Sequence, residues 1–168
     1  MADETRDQDE ILERYANGVA QLEAAIAGLG PADLDKALDA ESWTIRQIVH
    51  HVADGDDMWK LFIKTALGNS EAVFSLRWYG ELPQTEWAER WAYARREVEP
   101  SLAALRANRR HVVGLLRAVP GAWERSIVVE WPHQGAERVT VGWAIEILAS
   151  HVAGHIEDIE RIREAHGL

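Results

Sequence analysis

Apolar residues recur at three- and four-residue spacings through four long stretches of this chain, and that period commits most of it to amphipathic helices. The first stretch runs from about Asp9 to Leu29. Ile11, Leu12, Tyr15, Val19, Leu22 and Ile26 share a face, and Gly28, Gly30 and Pro31 end it. The second starts near Ser42, a good N-cap, and reaches about Leu67, with Ile45, Ile48, Val52, Trp59, Phe62, Ile63 and Ala66 on one side. The third covers about Ser101 to Ala118 through Leu102, Leu105, Val112, Val113 and Leu116, and stops at Pro120-Gly121. The fourth runs from about Val141 to Ala165, with Ile145, Leu148, Val152, Ile156, Ile159 and Ile162 inward. Each helix must bury one stripe, and four of them do so most simply against one another. The predicted fold is all-α, a four-helix bundle.

The intervening segments differ. Residues 69–100 form an irregular crossover rich in aromatics (Phe74, Trp78, Tyr79, Trp87, Trp91, Tyr93), within which Gln84–Arg96 suits a short helix. Ser126-Ile-Val-Val-Glu-Trp131, a turn at Pro132–Gly135 and Glu137–Thr140 read as a short hairpin or an extended crossover before the last helix. At 168 residues the chain fits a single domain over 1–168, with 1–8 expected to be disordered.

Composition removes several function classes. The net charge is −10, and no lysine/arginine-rich block exists to neutralise phosphates, so neither nucleic acid nor an anionic membrane is an expected partner. The first ten residues are mostly acidic and lack an apolar core, so no targeting signal is read there. No run of about 18 apolar residues occurs, and a soluble, cytoplasmic protein is the expectation. There is no cysteine, which excludes disulfides, thiolate metal sites and a cysteine nucleophile. Any metal site must come from the seven histidines and the carboxylates.

Helical phase sorts the histidines. At about 100° per residue, His51 falls roughly 70° from the centre of the second helix's apolar face, while His50 falls nearly opposite and reads as solvent-facing. His151 and His155 are four apart on the last helix, on or beside its core-facing stripe. Two imidazoles at that spacing can share one ion, as in zincin helices, but Val152 stands where a zincin has glutamate, so the helical peptidase mechanism is not supported. His51 supplies a third inward imidazole, and three imidazoles with an open position describe a catalytic type of metal site. His111, His133 and His166 read as bystanders. Asp54, one turn from His51, and Asp158, after His155, are candidate outer partners of the imidazoles or plain solvated carboxylates. Trp43, Trp59, Trp78 and Trp143 read first as packing and second as pocket walls.

Two motifs add a resemblance. Ser42-Trp-Thr-Ile-Arg-Gln-Ile-Val-His-His-Val-Ala-Asp54 resembles the second-helix signature of the DinB/YfiT-like superfamily, and Ala149-Ser-His151-Val-Ala-Gly-His155-Ile-Glu-Asp-Ile159 resembles its last-helix His-x-x-x-His signature. Gln84-Thr-Glu-Trp-Ala and Glu99-Pro-Ser-Leu-Ala-Ala-Leu are similar to intermediate stretches, so the likeness covers about residues 10–165. It implies a bundle of up-down-down-up type that holds a divalent metal on His51, His151 and His155. Nickel or zinc comes first, with iron or manganese as alternatives. The YfiT branch commonly has histidine or glutamine where this chain has Asp158.

The resemblance implies a metal-dependent enzyme acting on a small molecule, either a hydrolase or a transferase that uses a low-molecular-weight thiol such as mycothiol or bacillithiol. It also suggests a homodimer. With no cysteine of its own, the chain would need that thiol from outside. The competing expectation is a non-catalytic, dimeric metal- or ligand-binding bundle. A fourth side-chain ligand would favour that reading, because structural zinc is usually held by four.

Overall fold

In a computed structural model, the described residues are 2–168, with side chains from residue 6 onward. In chain order the elements are α1 (Ala2–Ala25), α2 (Pro31–Leu34), α3 (Ile45–Gly68), β1 (Val73–Ser75), α4 (Arg77–Gly80), α5 (Gln84–Arg90), a 3-10 turn (Tyr93–Arg95), α6 (Val98–Ala118), β2 (Ser126–Trp131), β3 (Gly135–Thr140) and α7 (Val141–His166). The disorder expected over 1–8 falls partly outside the described residues. Arg6, Asp7 and Gln8 lie within α1.

Side-chain contacts fix the direction of each long helix. His50 meets Ser101 and Lys60 meets Asn108, so α3 and α6 run the same way. Trp59 packs on Trp143 while His51 meets His151, so α7 runs against α3. The Tyr15 carbonyl accepts from Arg109 and Glu23 pairs with Arg106, which sets α1 against α6. Gly18 abuts Val152 and the Ala25 carbonyl accepts from Arg163, so α1 runs with α7. The order is up-down-down-up. Because α3 and α6 are parallel, the chain between them must travel back along the bundle, which is why the aromatic crossover exists.

The all-α expectation needs correction. Val73-Phe74-Ser75, inside the crossover, pairs in parallel with Val128-Val129-Glu130, and β2 pairs antiparallel with β3, giving a three-stranded sheet in the order β1-β2-β3. The hairpin half was readable from its β-branched run. The β1 strand is three residues long and pairs with a strand about fifty residues away, so no local periodicity marks it.

Helix ends moved for identifiable reasons. Thr44, not Ser42, caps α3: its hydroxyl accepts from the Gln47 amide, and the Gln47 side chain accepts from the Thr44 amide. Ser42 instead closes a turn on Asp39. The α1 helix ends at Ala25, short of Leu29. Helix α6 starts at Val98 and accommodates Pro100 in its first turn, where a missing N–H costs nothing. The helix expected over Gln84–Arg96 stops at Arg90, because Ala92 adopts a left-handed φ of 57°.

Two apolar clusters form the core. One gathers Phe62, Ile63, Val112, Ile145 and Leu148 with the sheet residues Ile127, Val129 and Val139. The other gathers Leu22, Ile48, Val52, Leu105, Val152 and Ile159. Near their junction lies a buried polar group. Arg109 Nε donates to Asp56 Oδ2 at 2.8 Å, and its Nη atoms donate to the carbonyls of Tyr15 and Leu148. Among the described residues, no helix is long and apolar enough to cross a membrane.

Candidate metal centre

The capping box at Thr44 sets the phase of α3, and that phase turns His51 toward α7 about two turns further on. On α7, His151 and His155 lie one above the other and face α3. The three Nε2 atoms converge: His51 to His151 is 3.1 Å, His155 to His151 is 3.1 Å, and the cluster lies within 4.8 Å throughout. His51 is 7% exposed, and the His155 side chain 19%. Trp43, just before α3, covers the cluster. Its ring meets His51 edge-on at 4.5 Å and stacks parallel to His155 at 6.4 Å.

Protonation decides what these nitrogens can do. The His155 Nδ1–H donates to Asp158 Oδ2 at 3.2 Å, which leaves a lone pair on Nε2. Asp158 is itself paired with Arg161. Burial, followed by the neighbouring His151 and His155, pulls the His51 pKa down to about 3. Burial, followed by His155 and then Arg109, pulls His151 down to about 4. Burial also lowers His155, against the opposing pull of Asp158. All three rings are therefore neutral near pH 7.

Three neutral imidazoles whose Nε2 atoms crowd one point suit a divalent ion. With metal–nitrogen bonds of about 2.1 Å, ligand nitrogens lie about 3.0 Å apart in octahedral and about 3.4 Å apart in tetrahedral geometry. The observed 3.1 Å falls within that interval. Among the described residues no carboxylate shares the cluster, so the donor set is three nitrogens.

His50, expected in solvent, is fully buried: its Nε2–H donates to the Arg96 carbonyl and its Nδ1 accepts from the Ser101 hydroxyl at 2.8 Å. Residues of α6 and the crossover cover this flank of α3, which points away from the core shared with α7. Asp54 does not reach His51; it pairs with Arg96 at 3.3 Å and lies by Tyr93 and Tyr79. Asp158 does reach an imidazole. Trp59 packs with Phe62, Phe74, Trp131 and Trp143, and Trp78 packs on Tyr79 and Trp87. His111, His133 and His166 are exposed. Arg161 escaped sequence reading, although its i,i+3 spacing from Asp158 was the available signal. A cavity of about 250 Å³ adjoins His155, bounded by Leu38, Ser42, Trp43, Asp158 and Arg161.

Comparison with known proteins agrees with this picture. The sequence profile of the DinB superfamily matches residues 14–159. A protein of Oceanobacillus iheyensis named "Putative metal-dependent hydrolase" is 29% identical over 139 residues, 82% of this chain and 75% of that protein. A protein of Geobacillus thermodenitrificans with the same name is 28% identical over 148 residues, 87% of this chain and 78% of that one. The solved structure of YfiT from Bacillus subtilis, described as "a probable metal-dependent hydrolase with an unusual four-helix bundle topology", superposes with a TM-score of 0.81. The match covers 95% of this chain and 87% of that one at 23% identity, a likeness of fold.

Proposed function

The chain belongs to the DinB superfamily, and from that premise we propose that it is a metal-dependent hydrolase of a small molecule, its single divalent ion held by His51, His151 and His155. The observation that carries this reading is the convergence of three Nε2 atoms, those of His51 and His155 each 3.1 Å from that of His151, at least one with its lone pair fixed by a bond at the far side of the ring. The names of the relatives point the same way.

His51, His151 and His155 would hold the ion, which would supply Lewis acidity and lower the pKa of water toward neutrality. The chain's own residues do the rest. The histidines stay neutral under burial and remain available as ligands. Asp158 fixes the tautomer of His155. Trp43 shields one side of the cluster from solvent. Zinc or nickel suits imidazole donors, and iron or manganese is the next choice. A three-ligand set supports catalysis over a structural ion, which is usually held by four side chains. The ligand rings sit between two packed helices, which suits a small substrate, and a net charge of −10 speaks against nucleic acid. A homodimer in the cytoplasm completes the reading.

Elemental analysis of protein purified without a histidine tag should find about one divalent ion per chain. A chelator should abolish ester or amide hydrolysis by the holoprotein, and the added ion should restore it. Full metal content in a His151→Ala/His155→Ala double variant refutes the site. Transfer of an added low-molecular-weight thiol to an electrophile, without hydrolysis, would move the assignment to the S-transferase reading.

A further inference from the structure

Two helix-interior glycines flank the histidine cluster, and packing does not explain either. Gly55 lies one turn after His51, and a Cβ there would meet only His151 Cε1, at the ordinary contact distance of 3.9 Å. Gly154 lies between His151 and His155 on an exposed face of α7, and a Cβ there would meet nothing within 4 Å. Glycine weakens a helix relative to alanine through backbone entropy. Gly18 shows the contrasting case: its Cβ would sit 2.7 Å from Arg109 Nη1, so close packing demands glycine.

The cavity beside His155 meets that ring on its Asp158 side. Asp158 forms part of its wall and receives the Nδ1–H of His155, while Nε2 is on the opposite edge of that ring. A second face of α7 also borders the histidines. On α7, Trp143, Ile147 and Gly154 are spaced by four and seven residues, so they fall on one stripe. Trp143 is 39% and Ile147 41% exposed, large apolar side chains partly left in water two turns and one turn before His151.

We propose that Gly55 and Gly154 keep open a path to the three Nε2 atoms along the α3–α7 seam, and that the molecule using it carries an apolar body that lies on Ile147 and Trp143. The second half deepens the metal-site reading and rests on it. The open path is a property of the metal-free chain.

Gly154→Leu should close the path without harming the fold, since leucine is the better helix former and the space is free. In metal-free protein, carbethoxylation of His151 and His155 by diethyl pyrocarbonate, followed by peptide mass spectrometry, should slow several-fold in Gly154→Leu, with Tm equal to or above that of the wild type. Gly114→Leu, at an α6 glycine with similar free space away from the histidines, should leave the rate unchanged. In cobalt-loaded protein, 4-phenylimidazole should bind about tenfold more tightly than imidazole by visible spectroscopy, and Ile147→Ser should remove that preference. A wild-type carbethoxylation rate in Gly154→Leu overturns the proposal, and equal affinities for the two imidazoles overturn its apolar half. A wild-type chain that takes up no cobalt refutes the metal site instead, while the carbethoxylation rates still decide the path.

Discussion

Asp158 holds the Nδ1 proton of His155 and is held in turn by Arg161. The side chain thus acts on the ligand set through one imidazole. Removing such outer partners typically weakens metal binding by about 10–100-fold. Asp158→Asn should accordingly lower zinc affinity by about tenfold in competition with a chelator, and an unchanged affinity would reduce Asp158 to a surface ion pair. The depressed histidines also make a statement about stability. His51 and His151 titrate near 6.5 when unfolded but at about 3 and about 4 when folded. Between those values the unfolded chain binds more protons. Metal-free protein should therefore lose stability as pH falls below about 6.5, by up to about 1.4 kcal/mol per pH unit for each histidine. Urea titrations of EDTA-treated protein at about pH 5 and pH 7 measure this slope, and His51→Leu should flatten it. Helical phase was enough to turn His51 toward the last helix, because that partner helix carries its own periodic signal. It failed for His50, whose environment is made by Arg96 and Ser101, about fifty residues away. Facing one core is local information; being covered by a crossover is not.

At the scale of elements, the start of α3 sets the register of the site. Thr44 and Gln47 satisfy each other's backbone amides, and His51 follows two turns after the cap. Thr44→Ala should cost about 1 kcal/mol. For a chain of this length that lowers Tm by about 3 °C in calorimetry, and a larger loss would imply that the cap also holds Trp43 against the histidines. The crossover depends on a different contact. A Cβ at Gly80, the last residue of α4, would lie 2.0 Å from Pro132 Cβ in the hairpin turn. Gly80→Ala should therefore lift α4 from the hairpin and shift the fluorescence of the neighbouring Trp78–Trp87 pair, whereas Gly68→Ala, with open space around it, should not. The four long helices were legible because each carries its period over five or more turns. The β1 strand and the break at Ala92 were not, since a three-residue parallel pairing and a single left-handed alanine arise from what the crossover packs against.

The molecule as a whole is tied at one point where all four long helices meet. Arg109 of α6 bonds Asp56 of α3 and the carbonyls of Tyr15 on α1 and Leu148 on α7, and its guanidinium lies 4.3 Å from the Tyr15 ring centre. Arg109 and Asp56 are each 1% exposed. Burial pushes the Asp56 carboxyl up, and Arg109 pulls only partly against it, so the pair is far from free of desolvation cost. Its worth is in register. The two apolar clusters could pack in several offsets, but only one places a guanidinium against a carboxylate and two carbonyls. That same offset brings Val52 and Val152 together and so sets the height at which His51 faces His151. Losing one partner strands the other, so Arg109→Met should destabilise by about 3–5 kcal/mol in urea unfolding. An Arg109→Met/Asp56→Leu double variant strands no charge and should recover most of that loss. If the pair serves register, the recovered stability will come with weakened metal uptake, because the helices can then slide and the three Nε2 atoms need not converge. Full metal content in the stable double variant would instead assign the pair to stability alone and leave the histidine register to the apolar packing.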